Sequence, residues 1–336
     1  MRILITGVAG FIGFFLSRRF LEEGRQVWGI DNLSPYYDPE LKKDRLSALK
    51  KHKRFYFEKL DLADAPALNR LFAEGNFTHV INLAAQAGVR YSVINPAAYV
   101  QSNLLGFANL LECCRHYPVE HLVYASSSSV YGLNAKIPFS PRDAVGHPVS
   151  LYAATKKAGE LLAHSYSHLY GIPCTGLRFF TVYGPWGRPD MAYFSFTRRI
   201  LAGEPIQLFN QGKMRRDFTY IGDIIRGVAA CVENPAEADA EWNPLSPAQD
   251  SSSAPYRIYN LGNNNSVELE RFVAVLEDAL RLKAVIEYLP MQPGDVQTTF
   301  ADIESSSRNL NFTPEVSLEE GLPEFVRWYK NYYRCS

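Results

Sequence analysis

Three glycines between a short apolar run and a helical pattern restrict the fold of this chain more than any other feature. Residues 3–5 are apolar, and Gly7, Gly10 and Gly13 follow in the sequence TGVAGFIG. In a strand–loop–helix unit, such glycines permit a tight turn, bring backbone N–H groups close to a pyrophosphate and let the helix pack on the strand. The spacing is one residue longer than the common dinucleotide-binding fingerprint, and glycines also occur in ordinary turns. The motif is informative because it directly follows the first predicted strand. The sequence therefore predicts a dinucleotide site at the end of this strand.

Short apolar strands alternate with amphipathic helices through the first half of the chain. Strands separated by helices of about 10–20 residues predict βαβ units and a parallel sheet covered on both faces. We expect an α/β fold with a doubly wound parallel (Rossmann) sheet and a smaller C-terminal α/β lobe. The predicted strands are 2–6, 26–30, 54–59, 79–82, 121–125 and 174–180, and the predicted helices are 13–23, 65–74, 97–115 and 151–170.

The alternation ends near residue 180, where proline and glycine become frequent. Residues 233–255 are rich in Ala, Ser, Pro and acidic residues, which predicts a mobile surface excursion. A strand at 258–261 and a helix at 267–282 are predicted after it. We therefore expect a nucleotide-binding domain at 1–180, with later returns of the chain at roughly 215–235 and 258–262, and a second lobe formed mainly by 181–336.

Charge and cysteine content exclude several classes of protein. The 336 residues include 35 Lys and Arg and 35 Asp and Glu, so no net field attracts nucleic acid or an anionic membrane. The basic run at 50–54 has no interleaved aromatic residue and is interpreted as a solvated helix end. The five cysteines show no Cys-x-x-Cys spacing, which argues against a disulfide framework or a zinc site and suits a reducing cytosol.

Targeting and metal motifs give no further signal. No signal peptide is evident before the first strand, and no apolar stretch reaches the ~20 residues of a membrane span, so we expect a cytoplasmic protein without a membrane partner. His164 and His168 are four apart on a predicted helix but lack both the intervening glutamate of a zinc motif and a third ligand. No metal site is expected.

Asp31 ends the second predicted strand, a short distance beyond the glycine loop. A carboxylate there accepts hydrogen bonds from a ribose 2′-hydroxyl and repels a 2′-phosphate. A strand-end aspartate can also cap a turn, but behind the glycine loop it favours NAD over NADP as the cofactor.

Two further motifs predict chemistry beside the dinucleotide. Tyr152 and Lys156 lie four apart on a predicted helix, which places both side chains on one face. A nearby ammonium favours the phenolate, so we expect a lowered pKa for Tyr152 and a general base for an alcohol proton. Four serines, 126–129, follow the fifth strand at the sheet edge where ligands bind, and place a hydroxyl to hydrogen-bond a reacting oxygen.

With these motifs in this order, the sequence resembles the extended short-chain dehydrogenase/reductases over essentially the whole chain, and among them the UDP-glucuronate 4-epimerases. The segments SPYYDP and GPWGRPDMA are the ones that distinguish a uronic acid substrate. The other segments that carry the resemblance are TGVAGFIG, NLAAQAGVRYS, YASSSSVYG, YAATKKAGE, RFFTVYG and KMRRDFTYIGDI.

The resemblance implies residues for cofactor, catalysis and substrate. Lys156 would hold the nicotinamide ribose and tune Tyr152, and Ser127, with Ser128 as the fallback, would hydrogen-bond the sugar 4-hydroxyl. The implied NAD-binding residues are Gly7, Gly10, Phe11, Ile12, Gly13, Asp31, Asn32, Asp61, Leu62, Leu83, Ala84, Ala85, Gln86, Asn103, Ser126, Tyr152 and Lys156. The implied UDP-sugar-binding residues are Arg90, Ser127, Tyr152, Thr181, Arg188, Phe209, Arg216 and Asp295.

The implied reaction is NAD-dependent epimerisation of UDP-glucuronate to UDP-galacturonate through a 4-keto sugar. Related dehydratases carry an Asp-Glu pair after the serine or threonine, and related decarboxylases usually carry a glutamate in that loop, whereas Ser128 and Ser129 stand here. The alternatives are a UDP-glucuronate decarboxylase, a UDP-hexose 4-epimerase and, in a different class, a catalytically silent NAD-binding regulatory protein. Intact Ser127, Tyr152 and Lys156 speak against the last of these.

The substrate's carboxylate requires a partner, because a 4-keto uronic acid is a β-keto acid that readily loses carbon dioxide. Arg188 is the candidate, since a guanidinium binds a carboxylate bidentately, although a surface-loop arginine is the alternative interpretation. Thr181 stands where related hexose epimerases have an asparagine, and could donate a further hydrogen bond.

For the nucleotide end, the resemblance places Arg216, with Arg215 as an alternative, at the diphosphate and Asp295 at the uridine ribose. Gln292 stands where the family has an arginine, which removes one positive charge. The resemblance also implies a homodimer formed by the helices predicted at 97–115 and 151–170.

Overall fold

A computed structural model gives the structure of residues 1–292 and 294–335. The strands are β1 Arg2–Thr6, β2 Gln26–Asp31, β3 Phe55–Lys59, β4 His79–Asn82, β5 His121–Ser127, β6 Cys174–Phe179, β7 Thr181–Tyr183, β8 Ile206–Phe209, β9 Arg215–Tyr220, β10 Tyr256–Leu261, β11 Ser266–Glu268 and β12 Ile286–Leu289. The helices are α1 Phe11–Glu22, α2 Pro39–Leu49, α3 Ala65–Gly75, α4 Tyr91–Ile94, α5 Pro96–Tyr99, α6 Gly106–His116, α7 Leu151–Tyr170, α8 Ala192–Leu201, α9 Ile221–Glu233, α10 Leu269–Leu280, α11 Glu304–Leu310 and α12 Leu318–Tyr333.

Seven of the strands form one parallel sheet in the order β10-β6-β5-β4-β1-β2-β3. The strand order reverses between β1 and β4, which is where a doubly wound sheet leaves a crevice at its carboxyl edge. Nearly every residue of β1, β4, β5 and β6 is buried, as expected for strands covered on both faces. The predicted fold class is confirmed.

Helices cover both faces of this sheet. On one face α1, α2 and α9 contribute Phe14, Leu46 and Val228 to a continuous core. On the other face α3, α6 and α7 contribute Phe72, Leu110 and Ala163. None of the helices in the described residues is both long and apolar enough to cross a lipid bilayer.

The remaining strands build a second, smaller layer. β7, β9 and β11 form a three-stranded sheet, and β8 pairs in parallel with β12. A third core holds this part together, with Phe196 of α8, Phe272 of α10 and Phe325 of α12 among its buried members.

Helix α7 has well-defined ends, which fix the residues on it. The Ser150 hydroxyl accepts a hydrogen bond from the N–H of Ala153 at 3.1 Å, which satisfies one of the unpaired donors of the first turn. The helix ends at Gly171 in the left-handed conformation, with φ +68°. Tyr152 and Lys156 therefore lie in its first two turns, next to the carboxyl edge of the sheet.

Three sequence predictions need correction. The helix predicted at 97–115 is interrupted, because residues 100–105 form a π-helical segment between α5 and α6. The helix predicted at 267–282 begins later, because Val267 pairs with Arg216 in the β11–β9 ladder and α10 starts at Leu269. The surface excursion predicted at 233–255 is wrong at its end, since Ser251, Ser252 and Ala254 are buried.

A buried ion pair joins α7 to two strands of the main sheet. Arg178 of β6 donates from Nε and Nη2 to the two carboxylate oxygens of Glu160, at 2.8 and 2.9 Å. The Ser126 hydroxyl at the end of β5 donates to the same carboxylate at 2.7 Å. Neither charged side chain is exposed to solvent by more than 1%.

We expect Glu160→Leu to lower the free energy of unfolding by about 3–5 kcal/mol, because it leaves Arg178 as an uncompensated buried charge. The measurement is urea denaturation followed by circular dichroism. The double variant Glu160→Leu with Arg178→Met should lose less than the sum of the two single variants, because no buried charge remains. Losses that simply add would contradict this account of the pair.

Candidate active site

A cavity of about 420 Å³ opens at the carboxyl ends of the central strands and brings the predicted motifs into one space. The glycine loop, the serines at the carboxyl end of β5 and the Tyr152–Lys156 pair all border it, which is the arrangement that a dinucleotide and a second ligand need. The predicted residues that line it are Gly7, Gly10, Phe11, Ile12, Gly13, Asp31, Asn32, Asp61, Leu62, Leu83, Ala84, Ala85, Gln86, Ser126, Ser127, Ser128, Tyr152, Lys156, Thr181 and Arg188.

The glycine loop leaves no room for side chains. A Cβ at Gly13 would lie 2.2 Å from the carbonyl oxygen of Gly7, and a Cβ at Gly7 would lie 2.7 Å from the backbone nitrogen of Ala84. Gly7 also has a φ of +67°, which favours glycine. Helix α1 begins directly after Gly10, so the N–H groups of its first turn and its positive dipole end border the cavity.

The second strand ends in a carboxylate that is fixed by backbone donors. Asp31 accepts hydrogen bonds from the N–H groups of Ala9 and Leu33 at 3.1 and 2.8 Å. The Lys42 ammonium lies 3.8 Å away. Beside it, the Asn32 amide donates to Asp61 at 2.8 Å, so both predicted adenosine-side aspartates are held at the rim of the cavity.

Tyr152 and Ser127 both border the cavity. Burial raises the pKa of Tyr152, while a hydrogen bond from Ser127 and the positive charge of Arg188 lower it in part. The expectation that Lys156 lowers this pKa is wrong for this structure, since Lys156 Nζ instead donates to the carbonyl oxygen of Ala125 at 2.8 Å. Desolvation is the dominant influence on the phenol.

The Lys156 ammonium is itself destabilised. Burial lowers its pKa to about 8, and the positive charge of Arg188 adds to the effect. A cation in this state gains from any additional hydrogen-bond acceptor placed beside it. Lys156 is therefore suited to bind ligand hydroxyl groups at the inner end of the cavity.

Arg188 borders the cavity but already has a carboxylate partner. Its Nε and Nη2 atoms donate to the two oxygens of Asp190 at 3.0 and 2.6 Å. The Tyr36 hydroxyl donates to Asp190 as well, at 3.2 Å. The sequence patterns indicate Arg188 and the segment containing Tyr36, but they contain no signal that Asp190 joins the two.

Two predicted cofactor residues use their side chains elsewhere. The Ser126 hydroxyl donates to Glu160, so only the rest of this residue faces the cavity. Asn103 lies behind the cavity wall, where its amide accepts from the N–H of Gln86 at 2.8 Å and donates to the carbonyl of Gln86 at 3.0 Å and to Thr155 at 3.0 Å. Asn103 therefore holds the loop after β4 that carries Gln86.

Four predicted substrate residues lie together outside this cavity. Arg90 forms an ion pair with Asp295 at 3.1 Å, and its guanidinium carbon lies 4.4 Å from the centre of the Phe209 ring. Burial lowers the pKa of Arg216, whose charge interacts with both Arg90 and Asp295. Residue 293, between Gln292 and Asp295, lies outside the described residues.

Arg45 was missed by the sequence analysis. It is fully buried, and it donates at 2.9 Å to the carbonyl oxygen of Ala9 in the glycine loop and to the carbonyls of Trp186 and Gly187, next to Arg188. A charge-rich segment such as PELKKDRL predicts a solvated helix, so the pattern contained no signal for this burial.

The described residues contain no group of three or more His, Cys, Asp or Glu side chains arranged to hold a metal ion. The polar groups that border the cavity are hydroxyls, amides, single carboxylates and the three cations Lys42, Lys156 and Arg188. They can bind phosphates, sugar hydroxyls and a carboxylate, and Tyr152 can exchange a proton with a bound alcohol.

Comparison with known proteins places the chain among nucleotide-sugar enzymes. The family model described as NAD dependent epimerase/dehydratase matches residues 3–262. UDP-glucuronate 4-epimerase 3 of Arabidopsis thaliana is 49% identical over 336 residues, which cover 98% of this chain and 77% of that protein.

Two solved structures show the same fold. The UDP-glucuronic acid 4-epimerase of Bacillus cereus, solved with UDP-glucuronic acid and NAD, has a TM-score of 0.88 at 33% identity and covers 99% of this chain and 100% of its own. The UDP-glucose 4-epimerase of Thermotoga maritima, solved with UDP-glucose, has a TM-score of 0.85 at 28% identity, with coverage of 99% and 100%.

We expect Gly13→Ala to weaken NAD binding at least about tenfold, equivalent to about 1.4 kcal/mol, because the new methyl group displaces the carbonyl of Gly7 and opens the loop. Isothermal titration calorimetry with NAD measures the dissociation constant. Gly146→Ala is the matched control, because a Cβ there meets nothing within 4 Å. Wild-type affinity in Gly13→Ala would contradict the assignment of the loop.

Proposed function

The chain belongs to the NAD dependent epimerase/dehydratase family, and from this premise we propose that it interconverts UDP-glucuronate and UDP-galacturonate. The observation that carries the proposal is the cavity in which the Tyr152 phenol, Ser127 and Lys156 meet Arg188 beside the glycine loop. That combination suits a sugar that is oxidised at one carbon and carries a carboxylate at another. The relatives named UDP-glucuronate 4-epimerase support the same substrate.

The residues present fit NAD. Backbone atoms leave no space for a side chain at Gly7 and Gly13. The glycine loop therefore lets a pyrophosphate approach the N-terminus of α1. Asp31, held by the N–H groups of Ala9 and Leu33, keeps acceptor capacity for ribose hydroxyls and repels a 2′-phosphate. When bound, NAD supplies reversible hydride acceptance at its nicotinamide ring.

Tyr152 acts as the general base in this proposal. Its phenol oxygen takes the proton of the sugar 4-hydroxyl as that carbon is oxidised to a ketone, and it returns the proton when the ketone is reduced from its other face. Ser127, which borders the same cavity, hydrogen-bonds the reacting oxygen. Lys156, whose buried ammonium gains from additional acceptors, binds the nicotinamide ribose.

The loop after β5 favours epimerisation over elimination of water. Ser128 and Ser129 border the cavity where an acid–base carboxylate pair would be needed to eliminate water from the ketone. With hydroxyls there, the 4-keto sugar meets no carboxylate pair that could eliminate water. Rotation of the ketone and its reduction from the opposite face then complete the cycle.

Arg188 binds the substrate's carboxylate in this scheme, with Thr181 donating a further hydrogen bond. Both border the cavity on the side of Tyr152. For the nucleotide end we propose Arg216 and Asp295 at the diphosphate and ribose, with Arg90 and Phe209 beside them. This division assigns NAD to residues 1–180, with returns at roughly 215–235 and 258–262, and the UDP-sugar mainly to 181–336.

We expect purified protein to convert UDP-glucuronate to UDP-galacturonate without added NAD, with products resolved by chromatography. Tyr152→Phe should lower kcat by about 10²–10⁴-fold, because the general base is removed. Tyr170→Phe, on the same helix but far along it, is the matched control and should keep the wild-type rate.

Other outcomes of this assay separate the alternatives. UDP-xylose or a pentose ketone would favour a decarboxylase, and turnover of UDP-glucose alone would favour a hexose epimerase. No turnover of either substrate would favour a silent NAD-binding protein.

We also propose a homodimer. Several large apolar side chains are exposed on the helical stretch before α6 and on α7, namely Val93, Ile94, Val100, Leu105, Leu161 and Leu169. Leu161 and Leu169 are two turns apart on one face of α7, which suits packing of that helix against a second copy. Four of the free cysteines are buried, which is compatible with the reducing cytoplasm that we propose as the location.

We expect Leu161→Glu to shift the protein from dimer to monomer in size-exclusion chromatography with light scattering, because a charge replaces an apolar contact. Leu161 is 58% exposed in the single chain, and Leu245, which is 93% exposed in the 233–255 segment, provides the control substitution Leu245→Glu. A wild-type monomer, or a Leu161→Glu variant that stays dimeric, would contradict the proposed interface.

A further inference from the structure

The guanidinium that the proposed function assigns to the substrate's carboxylate is held by a second group of this chain. Arg188 and Asp190 form two parallel hydrogen bonds, Nε to Oδ1 at 3.0 Å and Nη2 to Oδ2 at 2.6 Å. A bidentate pair of this kind fixes the plane of the guanidinium as well as its position. It occupies the Nε–Nη2 edge and, among the described residues, Nη1 has no hydrogen-bond partner. One edge is therefore committed to Asp190 and another is available to a ligand.

Asp190 is in turn held by a residue that is distant in the sequence. The Tyr36 hydroxyl donates to its Oδ2 at 3.2 Å and lines the cavity together with Arg188. The Tyr36 ring packs 4.8 Å from the ring of Tyr91, and its hydroxyl lies 2.5 Å from where a Cβ of Gly88 would be. Tyr36 therefore has little freedom to move away from the carboxylate.

The ion pair lies close enough to the reacting phenol to act on it. The positive charge of Arg188 lowers the pKa of Tyr152, whereas the negative charge of Asp190 raises it. Both charges are thus felt at the atom that exchanges the proton, so the orientation of the pair matters where the ketone forms.

We propose that Asp190 is a positioning residue that fixes the plane of the Arg188 guanidinium, so that the edge containing Nη1 meets the substrate's carboxylate in one orientation, with Tyr36 fixing Asp190. This inference rests on the proposed uronate epimerisation. In this proposal, the hydrogen-bonded series Tyr36–Asp190–Arg188 suppresses decarboxylation of the 4-keto sugar.

The chemistry explains why orientation is the relevant quantity. Decarboxylation breaks the bond between C5 and the carboxyl carbon, and carbon dioxide leaves while the bonding electron pair moves into the C4 ketone as an enolate. C5 then takes a proton from water. The bond breaks readily only when it stands perpendicular to the plane of the ketone, so a carboxylate held near that plane is retained.

Asp190→Asn is the informative substitution, because it keeps the side-chain shape and one acceptor oxygen but cannot accept both hydrogen bonds from Arg188. We expect kcat for UDP-glucuronate to fall about tenfold, since a small misplacement of a bound group costs this much or more. The KM should stay the same or fall, because the guanidinium keeps its charge and loses its internal partner. The ratio of decarboxylated pentose product to UDP-galacturonate should rise.

The experiment compares wild type, Asp190→Asn, Tyr36→Phe and Tyr91→Phe by chromatography of the products with time. Tyr36→Phe removes only the hydroxyl that holds Asp190 and should raise the product ratio by a smaller factor. Tyr91→Phe is the matched control in the same aromatic cluster, because its hydroxyl accepts from Asn95 and is not bonded to Asp190. Circular dichroism checks that each variant is folded, and Tyr36→Phe decides the question if Asp190→Asn is not.

The outcomes separate the two proposals. If the wild type does not turn over UDP-glucuronate, the proposed function fails, and this inference fails with it. If the wild type is active and the product ratio is unchanged in both Asp190→Asn and Tyr36→Phe, the positioning role of Asp190 alone is overturned, even if kcat has fallen.

Discussion

The reversal of strand order between β1 and β4 is the constraint on which the rest of this structure depends. Parallel strands deliver their following loops to one edge of the sheet, and the reversal opens a crevice there. The glycine loop follows β1, the Gln86 segment follows β4 and the four serines lie at the end of β5 and directly after it, so three distant parts of the sequence meet in one cavity. The buried Glu160–Arg178 pair then anchors α7, and with it Tyr152 and Lys156, to the same edge.

The sequence was sufficient for this framework because each part of it has a local signature. A strand covered on both faces is a short run of apolar residues, and a long amphipathic helix shows apolar residues that repeat every three or four positions. A loop with no space for side chains has to contain glycine. The positions of Gly7, Gly13, Asp31, Tyr152 and Lys156 followed from these patterns. The site residues that they indicate do converge on one cavity.

The rest could not be predicted because it depends on contacts between segments. Nothing local indicates that Asp190 pairs with Arg188, or that Tyr36 reaches Asp190 from more than 150 residues away in the sequence. The prediction of a lowered Tyr152 pKa was wrong because Tyr-x-x-x-Lys spacing indicates only that the two side chains share a helix face. It does not indicate that burial desolvates the phenol or that Lys156 donates to a backbone carbonyl. Similarly, β11 could not be predicted because its three residues, Ser266–Glu268, form a strand only by pairing with β9.

Arg45 has a consequence for the engineering of this site. Its guanidinium bonds to the backbone of the glycine loop and to the backbone beside Arg188, and these bonds use carbonyl oxygens rather than side chains. The glycine loop and the loop before Arg188 are therefore connected through this one cation by their backbone. A chimera that exchanges the 184–190 loop to alter sugar preference must therefore keep backbone carbonyl oxygens within hydrogen-bond distance of Arg45. Because Arg45 lies on α2, the exchanged segments should include α2 as well.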